Sequence, residues 1–528
     1  MDKTISKRYF LYSTCGVILF LFAYFGQKLL VTKQIEPDSR QILEITKFLP
    51  KVTEINIGSN IEKSITKTPD IEIRKRDIIY VSPNGNNADD GSFVHPWKTI
   101  QYAVDHIKPG GVIFVRQGQF FESIHIKGSG ELGKPILISS YNDDDVTIDG
   151  GMSPAITGNA DFWIVKGFTL KSKADRVMRL NTNNWKILSN TIYGAVYLWG
   201  NHNILEENDI DGSWHLGNEN GFMEDGAPSF ANVIKNNVIH DFYQRGIWSQ
   251  WFTHESRFEQ NTVYNITGKT GICIDMDGAT SIVYQHIIRG NKVYNCGQTG
   301  IELENSYNTL VEKNLVYNTG LEGIQIISYD GCEQGGANNQ FGNISGDCRG
   351  DILNSSILQN IIYNGGRVGG IVAYEASGLN IYNNTIYGGE SVAIYINSSV
   401  KYSKDLDLRG NILANHGRAE ISIVDPESLL LDEHNLIYND EAGHAYEVRG
   451  SEITFYSLSQ WQRKFSLGVM SIAADPKFLD TLRNDFHLSN NSPAIDAGVD
   501  LGISTDFDET PRPQLSETDI GAYEFVKP

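Results

Sequence analysis

The feature that most constrains this chain is a short pattern, Asn-x-Ile/Val/Leu-x, that returns at Asn190, Asn208, Asn237, Asn261, Asn291, Asn314, Asn360, Asn384, Asn411 and Asn435. Successive intervals are 18, 29, 24, 30, 23, 46, 24, 27 and 24 residues. A coil of three short strands and three turns needs about two dozen residues, whereas helical repeats of similar period carry apolar residues at a spacing of about 3.6. The pattern therefore predicts an all-β chain, a single-stranded right-handed parallel β-helix. Its abundant turn and strand formers, 51 Gly, 25 Tyr and 23 Phe, agree with that. The repeated Asn is read as structural, because its side chain tolerates tight turns and can hydrogen-bond from coil to coil.

Residues 10–26 form an apolar run after Lys3, Lys7 and Arg8. With the residues up to Val31, the run reads as a membrane signal anchor over 1–31, its N-terminus cytoplasmic. No small-x-small cleavage site follows; cleavage would make the protein secreted. Residues 32–77 read as a stalk, 78–440 as the β-helix and 441–528 as end coils and cap, all extracytoplasmic. Ile100, Ala103, Val104 and Ile107 keep helical spacing between Pro96 and Pro109, which predicts a short capping helix that hides the first strand edges. The single interval of 46 predicts a loop insertion over 328–351, overhanging the site face as a lid.

Sixty-four acidic against 44 basic residues give a net charge of −20, which excludes nucleic acid as a partner and leaves a polyanion needing a local cation. A monomer is expected. The five cysteines lack zinc-site spacing, and Cys332 and Cys348, flanking one Gly-rich loop, are the candidate pair.

A second motif begins with a small residue and then alternates interior and solvent positions: GIWSQ from Gly246, GICID from Gly271, GIELE from Gly300 and GIQII from Gly323. Ile272, Ile274, Ile301, Leu303, Ile324 and Ile326 should face inward. Aligned on the first residue, Gln250, Asp275, Glu304 and Ile327 share one solvent column, and Trp248, Cys273, Glu302 and Gln325 share the next. Asp277 lies just past its strand. Trp199, Trp248 and Trp251 would supply stacking surfaces, and Gln250, Glu302 and Gln325 hydrogen bonds, for a polysaccharide or oligosaccharide. Carboxyls in register on adjacent coils, about 5 Å apart, match the separation of retaining glycosidases. One of two such close acids should retain its proton.

The segment 271–308, GICIDMDGATS through GIELENSYN, resembles the β-helix glycoside hydrolases of the family 120 β-xylosidase type. That resemblance implies Asp275 as nucleophile and Glu304 as acid/base, with no cofactor; Cys273 and Asp277 beside the aspartate depart from it. Residues 78–150 resemble the N-terminal part of pectate-lyase-like β-helix proteins, and DPKF, SPAIDAG and DIGAYEF (475–525) resemble the end module of secreted bacterial β-helix proteins. A calcium-assisted lyase or epimerase is the first alternative: Asp275, Asp277, Glu302 and Glu304 supply oxygens for Ca²⁺, and Arg245, Lys269 or Arg367 would have to serve as base. A non-catalytic surface protein that binds carbohydrate is the second.

Overall fold

The computed structural model describes residues 77–527 except 214–219, 225–228, 269, 279–281, 330–352, 398–402 and 440–443. Its contacts group residues 77–130 with 135–528, and this unit is described here. The expected anchor over 1–31 and the stalk lie outside the described residues. Among those described, no helix is long and apolar enough to cross a membrane.

The chain winds into a β-solenoid whose three faces are parallel sheets. One face is a sheet of fourteen strands, from Ile78–Val81 to Leu429–Glu433. The second carries the Asn-x-Ile strands and the third the small-residue strands, each paired in register with its neighbours one coil away. All ten repeated asparagines join one interior ladder. Each Nδ2 donates to the Oδ1 of the next at 2.9 to 3.0 Å, and the same Oδ1 accepts the backbone N–H of the preceding asparagine. The residue before each ladder asparagine is left-handed, for example Glu207 at φ 58° and Lys313 at φ 53°. That conformation turns the chain sharply, and the asparagine satisfies the amides that the corner leaves without sheet partners.

Outside this corner Tyr264, Tyr294, Tyr317 and Tyr363 stack with ring centroids 4.7 to 5.0 Å apart. The predicted capping helix is present as Ile100–His106, with Ile100, Ala103 and Val104 buried. A second helix, Leu458–Phe465, starts at a Ser457/Gln460 capping box and buries Trp461 over the last coils. The C-terminal segment then returns along the outside of the solenoid, where Phe486, Ile520 and Ala522 pack on Ile361, Tyr363, Ile412 and Leu436.

Candidate active site

The small residue that opens each strand of the third face is required by the backbone. At this point two successive residues turn inward, and a Cβ on Gly246, Gly300 or Gly323 would come within 2.4 to 2.7 Å of core methyl groups. On one coil that position is filled by Cys273 rather than by Gly271, because Ile247 pairs with Ile274, which pairs with Ile301. The thiol is accommodated by a disulfide to Cys296 on the neighbouring face. Cys332 and Cys348 lie outside the described residues.

This corrects the alignment made on Gly271 by two residues. Trp248, Asp275, Glu302 and Gln325 form one outward column, and Asp275 does not share a column with Glu304. Gln250 pairs with Asp277 and Glu304 with Ile327, and continuing the Asp275–Glu302 register by two residues sets Asp277 opposite Glu304 in the other column. An offset of two preserves parity, which is why the acids still share a face. Ile274, Ile301, Leu303, Ile324 and Ile326 are interior as expected, whereas Ile272 pairs with Arg245 and is covered without joining the main core.

Four carboxyl groups from two coils thus meet. Arg245, just before the small position, ion-pairs with Asp275 and lies over the Trp248 ring, 4.4 Å from its centroid. Trp248 Nε1 donates to Asp277 Oδ2 at 3.0 Å, and the Tyr329 hydroxyl donates to Glu304 Oε1 at 3.2 Å. Tyr329 stands at the start of the expected lid, and residues 330–352 lie outside the described residues. Asp275 and Glu302 are buried, with 1 % and 6 % of their surface exposed, so the expectation that the acids face solvent fails for this column. Asp277 and Glu304 stay partly exposed.

Burial pushes Asp275 up to about 7 against the pull of Arg245. Burial, then Asp275 and Glu322, raise Glu302 well above the usual carboxylate range. Burial, then Asp275, Glu302 and Asp277, carry Glu304 to about 11, with a hydrogen bond to Asp277 adding to the shift. One guanidinium does not neutralise four carboxylates, so protons remain on the cluster at neutral pH, Glu304 foremost.

The other expected residues are dispersed. Gln325 adjoins Glu302 in its column, and Gln250 is buried beside Asp277. Trp251 lies past the strand end, half exposed on left-handed backbone, and Trp199 sits several coils nearer the N-terminus. Of the proposed bases, Arg245 is in the cluster, Lys269 is outside the described residues, and Arg367 lines a separate cleft with Glu390. Tyr329 was not read from the sequence as part of the site, and Arg245 was named only as a candidate base, not as the ion-pair partner of Asp275 that it is.

In the cluster only some of the carboxylate oxygens are engaged, and Asp275 Oδ1 is buried with no hydrogen-bond partner among the described residues. Arg245 and Trp248 hold oxygens of Asp275 and Asp277, and among the described residues the metal-like convergence of three ligand groups occurs elsewhere, at Asp211, His240 and Asp241.

Two family models match the chain: a Pel9A-like right-handed β-helix region over residues 79–237 and a right-handed β-helix region over 176–343. The chain is 34 % identical over 84 residues to the uncharacterized protein YwoF of Bacillus subtilis (strain 168), covering 16 % of this chain and 18 % of that protein. It is also 34 % identical over 85 residues to pectate lyase PEL9 of Emericella nidulans, covering 16 % and 21 %. The matches thus span about a fifth of the length of these relatives. The solved structure of XylC with xylose superposes with a TM-score of 0.50 at 12 % identity, covering 85 % of this chain and 98 % of that one, a likeness of fold alone. Register, ladder and family matches agree: the chain is a right-handed parallel β-helix protein, with Pel9A-like and right-handed β-helix family matches over residues 79–343.

Proposed function

We propose that the protein is a carbohydrate-active enzyme that hydrolyses glycosidic bonds with retention of configuration. The observation that carries this reading is the pair in register on adjacent coils, a partly exposed Glu304 that keeps its proton and is hydrogen-bonded to Asp277. Glu304 is the proton donor to the leaving oxygen, and Tyr329 orients it. Asp277, fixed by the Trp248 indole, is the nucleophile. The strand spacing of about 4.8 Å gives the two carboxyls the separation a covalent glycosyl intermediate needs once sugar enters between them. Asp275, the nucleophile implied by family resemblance, is enclosed and ion-paired. In this reading it keeps Arg245 and the negative field in place, and that field stabilises the oxocarbenium-like transition state. The printed activity of the PEL9 relative and the xylose bound to XylC both concern carbohydrate, which supports the substrate class. An extracytoplasmic location is part of the proposal, supported by the Cys273–Cys296 disulfide, because such bonds persist in oxidising compartments.

The test is turnover of a panel of aryl glycosides and polysaccharides, followed by trapping with 2-fluoro glycosides and peptide mass analysis. Label on Asp277 and a retained anomer are expected; label on Asp275 would reassign the nucleophile. Chelator-sensitive release of an unsaturated, ultraviolet-absorbing uronate would replace hydrolysis by lyase chemistry. Binding without turnover of any substrate would leave a carbohydrate-binding protein.

A further inference from the structure

The column that carries Asp275 continues toward the N-terminus through Trp248 and the largely covered Met223 and Tyr197 to the exposed Arg179, the last strand pair being in register again beyond a bulge. Four coil steps of about 4.8 Å place Arg179 about 19 Å from Asp275, the span of roughly four sugar units. The charge changes sign along this path. At the far end a cleft of about 400 Å³ is lined by His125, Lys127, Thr157, Arg179, Asn181 and Trp199. The Arg179 guanidinium lies over the Trp199 ring, 5.4 Å from its centroid, and Arg176 lies over Tyr197 at 4.2 Å. Arg179 and Lys127 are exposed, and neither forms an ion pair among the described residues. In a chain of net charge −20, two cations outside any ion pair among the described residues, beside an aromatic ring on the site face, stand out as an anion-recognition group.

We propose that this cleft is a distal subsite for an acidic sugar unit, carboxylate- or sulfate-bearing, of a chain whose reacting unit at the carboxyl cluster is uncharged. The inference rests on the proposed carbohydrate activity of that cluster. Trp199 offers a stacking face while Arg179 and Lys127 meet the anion. The carboxyl cluster repels an acidic unit placed over it, so the acidic unit is read at a distance. A chain too short to reach both ends loses the electrostatic contribution.

The experiment is calorimetric titration of the full-length Glu304→Gln protein, which separates binding from turnover. The probes are hexameric oligogalacturonate, a sulfated galactan hexamer, neutral xylohexaose, and a glucuronic-acid-bearing xylan hexamer with its dimer. At least one acidic hexamer should bind tenfold or more tightly than the neutral one, with that preference falling steeply as salt rises. Which acidic hexamer does so tells carboxylate from sulfate recognition. The double substitution Arg179→Gln/Lys127→Gln should abolish the preference without altering dimer binding. Equal affinity for acidic and neutral hexamers, or a preference that survives the double substitution, overturns the subsite. Salt dependence in the parent reads the same electrostatics if the variant fails to fold. If the preference follows Arg179 and Lys127 while no glycoside is hydrolysed, the hydrolase reading falls and the subsite stands.

Discussion

At the residue scale, the cluster separates side chains that act on substrate from side chains that hold them. Glu304→Gln and Asp277→Asn each remove a group in the proposed reaction, and each should lower turnover by at least a hundredfold, the usual scale for a displaced acid or nucleophile. Both residues are partly exposed and Glu304 is held far above the ordinary glutamate range, so neither variant should melt below the parent at neutral pH, and Glu304→Gln should melt above it, which melting curves check. Asp275→Asn differs, because it leaves Arg245 without its ion pair in a covered position; this variant should lose stability as well as activity, by on the order of 3 kcal/mol. The pH dependence follows from the direction of the shifts. Glu302 is raised above its unfolded range by burial and by Asp275, so the folded protein binds its proton more tightly than the unfolded chain does. That contribution is complete below the ordinary glutamate range, near pH 4, and is lost as pH rises toward the folded value. Glu302→Gln carries no such loss. It should melt close to the parent at pH 4 and above it at pH 8, which melting curves at the two pH values check. A parent that outlasts the variant at pH 8 would refute the charge crowding described for this cluster.

At the element scale, the coil was legible wherever one residue type did one job. All ten asparagines picked out by pattern sit in the ladder, because a left-handed corner with unsatisfied amides recurs once per coil and few side chains serve it. Asn314→Ala would remove the acceptor for the Asn291 amide and side chain together with two donated bonds. The cost should be about 3 kcal/mol or more, since buried polar groups are left unpaired, and denaturant unfolding checks it. The strand register was misread where a different residue took over the job of glycine. Gly271 looked like the start of the motif, whereas Cys273 occupies the crowded inward position because its sulfur is bonded to Cys296. Face parity survived the error and the pairing of individual acids did not. The helix Leu458–Phe465 was not anticipated, although its Ser457/Gln460 capping box is written in the sequence. The disulfide closes a span of 23 residues on the coil that presents Asp275 and Asp277. Its removal in Cys273→Ser/Cys296→Ser should cost about 3 kcal/mol from chain entropy, and reductant should destabilise the parent while leaving the double variant unchanged.

At the scale of the whole molecule, a solenoid has contacts only between neighbouring coils, so its ends decide whether the stack is soluble and stable. The N-terminal end is closed by Ile100–His106, which sets Ile100, Ala103 and Val104 into the first coils. The other end is closed by Leu458–Phe465, where Trp461 Nε1 and the Tyr446 hydroxyl both donate to the buried Asp432. The returning C-terminal segment does a different job, since it lies along the flank. Phe486 and Ala522 cover Ile361 and Tyr363, and Ile520 and Leu488 cover Ile412 and Leu436. Buried Arg512 pairs with Glu524 and donates to the backbone oxygens of Asp519 and Gly521, which fixes the segment as one piece. Ending the chain after residue 475 would therefore keep both closed ends and strip a contiguous apolar surface from the side of several coils. Exposed apolar patches of that kind drive association, so the shortened protein should self-associate in a light-scattering or sedimentation experiment while its far-ultraviolet spectrum stays β-rich. The carboxyl cluster lies on a different face from Tyr363, Ile412 and Leu436, so residual turnover per folded molecule should persist. Loss of β structure itself on this truncation would mean that the flank segment, and not the coil-to-coil ladder, holds the solenoid together.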